Sequence, residues 1–447
     1  MKLKLATTKK NNLLMETNRH EMEFTGDING IENEIVNLYP DRKFEEFEGF
    51  GGAVTDASAY VYSLMREDDK EILLKTYFTE EEMNYRLIRV HMDSCDFSTE
   101  MYEAMSDKND RNLKTFSFER TEKYILPMLH DIQKVTENRV ELMLSPWSPP
   151  AFMKTNGARK YGGKLKWEYA DLWADYICRY IEEFKKRGFR VQRISLQNEA
   201  KAAQTWDSCV YTAEEEKKFL EEFMYPAFIS HGFKDIEVFV WDHNKERAFE
   251  RAVEIVKGKA AEMVSGVACH WYSGDHFENL DLLRHFYPEL KLILSESAIE
   301  YRKFGSENMS DSAVCLSHEI IGDLSHGITA FYDWNVLLDE KGGPNHAGNY
   351  CLAPFLYDTK QKELQTQIIQ KHLWHFSHFI KPGARRIALS RYTEMLDVTA
   401  FVNPDGKIVF VILNKDEKAR KAVLRLNGQT VEFVIGSREI CTGEIIA

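Results

Sequence analysis

The chain has no metal-ligand spacing, no phosphate loop, no nucleophile elbow and no membrane-length apolar run, and each absence removes a class of function. Its seven cysteines are scattered without a CxxC pair, so neither a zinc site nor a disulfide framework is expected. Buried, reduced thiols in a cytoplasmic protein are the simpler reading. No GxGxxG or GxxxxGK[ST] stretch occurs, which argues against an open nucleotide-binding sheet. Gly-x-Ser-x-Gly and His-Glu-x-x-His are also missing, which disfavours serine hydrolases and zinc peptidases. No segment approaches the ~20 apolar residues of a membrane span, and the first ten residues lack the apolar core of a signal peptide. Basic charge is in deficit: the net charge of −13 argues against a nucleic-acid partner. Nothing implies a metal or an organic cofactor.

What is present is an alternation of short apolar runs with longer amphipathic helices. Candidate strands are 85–90, 140–145, 191–196, 236–240, 263–268, 291–294 and 327–331, and a Glu- and Lys-rich helix spans Ala213 to Phe223. Buried strands alternating with helices predict a parallel sheet. After Lys381-Pro382-Gly383 the pattern becomes short strands at 398–402, 408–413 and 421–426, separated by turn signals such as Asn403-Pro404-Asp405-Gly406. The expected organisation is an N-terminal strand region, 1–40, that completes a small antiparallel β domain, 384–447, with a large domain at 41–383 built on a parallel sheet, closed or open.

Two glutamates carry the chemistry. Glu199 ends Ser195-Leu196-Gln197-Asn198-Glu199, and Glu296 lies in Leu294-Ser295-Glu296-Ser297, each directly after an apolar strand. A carboxylate at a strand end in a repeating β/α chain lies where such folds build active sites. Two brought together are the equipment of glycoside hydrolysis. Aromatics recur at the same end, at Trp147, Trp271, Tyr272 and Trp334, and such rings stack on sugars. His91, His243 and His270 also sit near strand ends, and are expected as polar partners of carboxylates rather than metal ligands.

Several segments together resemble glycoside hydrolase family 30, the glucosylceramidase family. They are Glu48-Gly49-Phe50-Gly51-Gly52-Ala53, Arg89-Val90-His91-Met92-Asp93, Ser145-Pro146-Trp147-Ser148-Pro149-Pro150, Gln197-Asn198-Glu199, His270-Trp271-Tyr272, Asp333-Trp334-Asn335 and Gly342-Gly343-Pro344-Asn345, in the family's order. The resemblance implies a (β/α)8 barrel with a β-sandwich and a retaining β-glycosidase acting on a small β-glucoside or short oligosaccharide. It implies Glu199 as acid/base and Glu296 as nucleophile, within a binding shell of Asp96, Trp147, Asn198, His270, Tyr272, Trp334 and Asn349. Tyr272 is expected to hold Glu296, and repulsion between the glutamates to raise the pKa of Glu199. The alternatives are β-xylosidase or endo-β-1,6-glucanase specificity, or a barrel that only binds carbohydrate. Ala200 and the sequence around Ser295 and after Asn349 depart from the family pattern, which leaves the leaving-group preference open.

Overall fold

The computed structural model describes residues 1–8, 17–304 and 309–446. Eight parallel strands close into a barrel: β1 (Gly49–Ala53), β2 (Leu87–Met92), β3 (Glu141–Pro146), β4 (Val191–Ser195), β5 (Glu237–Asn244), β6 (Gly266–His270), β7 (Lys291–Glu296) and β8 (Ala330–Asp333). Each pairs with the next, and β8 returns to β1 through Phe331 opposite Phe50. Seven of the eight correspond to apolar runs in the sequence. The eighth, β1, is glycine-rich and carries little strand propensity. Close approach demands its composition: a Cβ on Gly51 would lie 1.9 Å from the carbonyl oxygen of Leu87 on β2.

Side-chain alternation sorts the strands into two faces. Ile88, Val90, Leu142 and Leu144 join the core shared with the surrounding helices. Leu87, Met143, Phe239, Ala268, Ile293, Ala330 and Tyr332 form a separate apolar cluster, a filled layer of the kind that makes such a barrel a packed core rather than a pore. Beneath it, at the strands' N-terminal end, Arg193 pairs with Glu48 and Glu237 at 2.7 and 3.2 Å, and Lys291 pairs with the same two glutamates. Above it the inward positions are polar: Arg89, Ser145, His270 and Ser295.

The expected helix at 213–223 is a capped α-helix, Ala213–Phe219, that passes into a π-helical turn, Leu220–Met224, and continues as Tyr225–His231. Periodicity does not distinguish these hydrogen-bond patterns over so short a span. Outside the barrel, ten strands form one continuous hydrogen-bonded order around a second apolar core that includes Leu5, Val36, Leu38, Val398, Phe410, Ile412 and Leu424. N-terminal chain is built into it: Lys2–Thr8 pairs with Ile440–Ile446, and Ile35–Glu46 lies between Arg385–Arg391 and Arg420–Leu426. Ile35–Glu46 leads directly to Phe47, whose ring packs on Phe50 of β1 and Phe401 of the sandwich.

Replacing Gly51 with alanine forces β1 away from β2 and is expected to cost about 3 kcal/mol, at the upper end for overpacking a closed core. Urea unfolding monitored by tryptophan fluorescence checks this, and an unchanged midpoint contradicts the close-approach argument.

Candidate active site

The C-terminal end of the barrel is organised around a cation. Arg89, two positions after the inward-facing Leu87 on β2, is fully buried. Its Nη1 donates to Glu296 Oε2 at 2.6 Å and to the Ser295 carbonyl at 3.2 Å. Its Nη2 donates to Asn198 Oδ1 and to Asp242 Oδ2, both at 2.8 Å, and Nε donates to Ser145 Oγ at 3.1 Å. Groups from four strands or strand ends thus share one guanidinium. A lone buried charge would cost several kcal/mol, and this geometry offsets it by placing two carboxylates on the rigid fork.

Asp242 reaches the lumen because β5 is bulged. The pairing of β5 with β6 shifts register after Trp241, and Trp241 and Asp242 both have positive φ, 74° and 44°. Trp241 turns outward beneath Arg251, while Asp242 turns inward to Arg89, to Ser295 Oγ at 2.6 Å and to His270 Nε2 at 3.1 Å. Such an insertion re-aims side chains next to active sites. Burial alone would raise the pKa of Asp242, but Arg89 and the hydrogen bond from His270 hold it well below the usual carboxylate range.

Glu296 stands at the end of β7 with both oxygens occupied. Tyr272 Oη donates to Oε1 at 2.8 Å, opposite Arg89 on Oε2. Glu199 follows β4 in a left-handed backbone conformation, φ 48°, with its N–H donating to the Asp242 carbonyl at 2.8 Å. A non-glycine residue held there is an uncommon, over-determined conformation of the kind that clusters at functional sites. Glu199 and Glu296 converge on one imidazole: His270 Nδ1 is 3.5 Å from Glu199 Oε1, and Nε2 is 3.9 Å from Glu296 Oε2.

A cavity of about 160 Å³ opens above these groups. Asp96, Trp147, Asn198, Glu199, Tyr272, Glu296, Trp334 and Asn349, all named from the sequence, line it. Trp147 and Trp334 stack at 5.4 Å between ring centroids and both lie against Arg89. His270, expected in the binding shell, does not line the cavity; it is fully buried behind the two glutamates. Sequence reading passed over Gln204, Trp206, Asn244, Glu300 and Cys351 in the wall, and Arg89 and Asp242 beneath it. Only Arg89 carried a signal, as a charged residue inside an apolar parallel strand, which requires a buried counter-charge.

The electrostatics overturn one expectation. Burial pushes the pKa of Glu199 up, but the hydrogen bond from His270 and the charges of His243 and His270 outweigh it and bring it to about 2, rather than above the ordinary value as repulsion from Glu296 alone predicts. For His270 burial works downward, yet Glu296, Asp242 and Glu199 together raise it to about 9. Asp96 moves the other way, since burial, then Glu296 and Glu199, push it up to about 8.

A closed parallel barrel with two glutamates meeting at its C-terminal end, joined to a β-sandwich, is the architecture of a barrel glycosidase. Comparison with known proteins identifies the class further. Residues 47–380 match the glycosyl hydrolase family 30 TIM-barrel domain, and residues 383–442 match the family's beta sandwich domain. The chain belongs to glycosyl hydrolase family 30, and is a retaining β-glycosidase. It is 31% identical over 404 residues to the lysosomal acid glucosylceramidase of Mus musculus, covering 86% of this chain and 78% of that protein. It is 23% identical to an endo-1,6-beta-D-glucanase of Neurospora crassa, over 77% of this chain and 72% of that one. Among solved structures, SrfJ from Salmonella typhimurium superimposes over the full length of both chains with a TM-score of 0.96 at 32% identity. The fold is also that of the endo-beta1,6-glucanase BT3312, with a TM-score of 0.86 over 99% of both chains.

Asp96 supplies a stability test of the cavity's charge. In the unfolded chain it ionises above pH ~4, whereas in the folded protein it stays protonated to about 8. Folding stability therefore falls as pH rises between those values. Asp96→Asn removes that penalty, so the variant is expected to gain on the wild type progressively from pH 4 to 8, by on the order of 2 kcal/mol at pH 7. Thermal melts across that range test it; a difference independent of pH contradicts it.

Proposed function

We propose that the enzyme hydrolyses small β-glucosides from the non-reducing end, with Glu296 as nucleophile and Glu199 as acid/base. The observation that carries this reading is the unequal setting of the two glutamates. Glu296 is clamped between Arg89 and Tyr272, which fixes its carboxylate in one orientation. Glu199 is in contact with a titratable ring, as a group that gains and loses a proton in each cycle must be. Glu296 attacks the anomeric carbon, and a proton passes through Glu199 to the departing oxygen. Water then attacks the glycosyl ester and gives its proton to Glu199. Asn198 already uses its Oδ1 on Arg89, which leaves its amide N–H groups for the sugar 2-hydroxyl. Asp96, protonated at neutral pH, donates to a hydroxyl instead of only accepting.

The small cavity supports exo-action, since it lies below the ~300–1,000 Å³ of pockets for larger ligands. That favours a β-glucoside over the internal bonds of a β-1,6-glucan. The seven free cysteines, six of them buried, accord with a cytoplasmic enzyme. Among the described residues no helix is long and apolar enough to cross a membrane.

Proton NMR during cleavage of aryl β-glucosides is expected to show β-glucose before mutarotation, while an α-configured first product sinks the mechanism. Glu296→Gln is expected to lower kcat by about 10⁴-fold or more, and wild-type turnover by that variant removes its assignment. Glu199→Ala is expected to retain activity on dinitrophenyl glucosides and to be accelerated by azide. No azide effect counts against Glu199 as acid/base.

A further inference from the structure

His270 is the one member of the expected binding shell that touches no cavity, and its surroundings are those of a proton carrier. The ring is fully buried. Around it stand Glu199 from the loop after β4, Asp242 and His243 from β5, Glu296 from β7, Arg89 from β2 and Tyr272 from its own segment. Its Nε2 faces Asp242 Oδ1 at 3.1 Å. Asp242 also accepts from Arg89 and Ser295 and is held ionised, so Nε2 must carry hydrogen. The other nitrogen, Nδ1, is buried and has Glu199 Oε1, 3.5 Å away, as its one polar partner.

That geometry leaves two alternatives. A neutral imidazole would turn the Nδ1 lone pair toward Glu199, and an ionised Glu199 would turn its own lone pair back. Two facing lone pairs are costly in a buried site. The resting enzyme therefore keeps one proton on the pair, either on Nδ1 or on Oε1. His243, 3.9 Å from Glu199, cannot supply it from Nδ1, because that nitrogen accepts the Asn244 N–H at 2.8 Å.

We propose that His270, oriented by Asp242, is a positioning residue that stores the acid/base proton: it hands that proton from Nδ1 to Glu199 for departure of the aglycone and takes it back after water attack. This rests on the assignment of Glu199 as acid/base. In the first step the proton moves from Nδ1 to Oε1 and on to the glycosidic oxygen as that bond breaks and the Glu296 ester forms. The ester removes the negative charge that most favours the imidazolium, so the ring stays neutral through the intermediate. The pair now lacks its proton, and the facing lone pairs together with the neutral ring make Glu199 basic, so that it accepts the proton of the attacking water. When the ester is cleaved Glu296 regains its charge, and the proton returns to Nδ1. The cycle consumes one water and leaves every group as it began.

The test compares wild type and His270→Asn on methyl β-glucoside, which needs an acid, and dinitrophenyl β-glucoside, which does not. The expected result is a fall of about 100-fold or more in kcat/KM for the methyl glucoside at pH 7, with its alkaline limb at least about two pH units lower. The dinitrophenyl glucoside is expected to change less than about 10-fold. Equal losses on both substrates with an unmoved limb overturn the proposal, because a merely structural role lowers both together. Neutron diffraction of the wild type at pH 7 decides the matter should the variant fail to fold. Density for one deuteron between Nδ1 and Oε1 supports the store, and its absence from both atoms overturns it. Cleavage of the dinitrophenyl glucoside by wild type with retention keeps the glycosidase reading whichever way the proton result falls.

Discussion

A guanidinium buried in the lumen of the barrel is the constraint on which the rest of the site depends. Arg89 is fully buried, so its charge must be met by the protein, and the protein meets it with side chains at the floor of the cavity. Glu296, Asp242 and Asn198 are each fixed by a bond to that one fork. The planar fork sets their relative positions, since its donors point in fixed directions. Stability and site geometry are thus one problem here, and the residue that solves it makes no part of the cavity wall.

The layers below the arginine decide how strongly these charges act on each other. An apolar stratum of Leu87, Met143, Phe239, Ile293 and Tyr332 fills the lumen, and the ion pairs of Arg193 and Lys291 close its far end. Water cannot reach the polar layer from beneath. In that low-dielectric setting a single imidazole lowers the proton affinity of Glu199. This is why the expected repulsion between the two glutamates does not govern Glu199. The hydrogen bond and the positive charge of His270 act on it directly, and they reverse the sign of the effect.

The backbone departures at the C-terminal end of the barrel serve this polar layer. The bulge at Trp241–Asp242 exchanges an outward for an inward side chain, and a register shift between β6 and β7 after Cys269 brings His270 level with Glu296. Glu199 sits in a left-handed turn rather than on the strand. Each breaks the regular alternation at the C-terminal end, where the fold places its site.

Much of this was legible before any coordinates. Strand–helix alternation declared a parallel sheet, the switch to short strands after Gly383 declared the all-β part, and Glu199 and Glu296 stood out as carboxylates ending apolar strands. These features are local: periodicity, turn residues and residue type at a strand end are properties of a few neighbouring positions. β1 was not legible as a strand, because its glycines answer to Leu87 on the adjacent strand and not to their own propensity. Asp242 was not legible either, since a bulge leaves no mark in residue type. Nor was the state of Glu199, which depends on a histidine about seventy residues away in the chain. By itself the sequence determined the elements, their order and the two acids. Only the tertiary structure decided which charges face each other across the lumen, because proton affinity is set by distances between segments that the chain brings together only on folding.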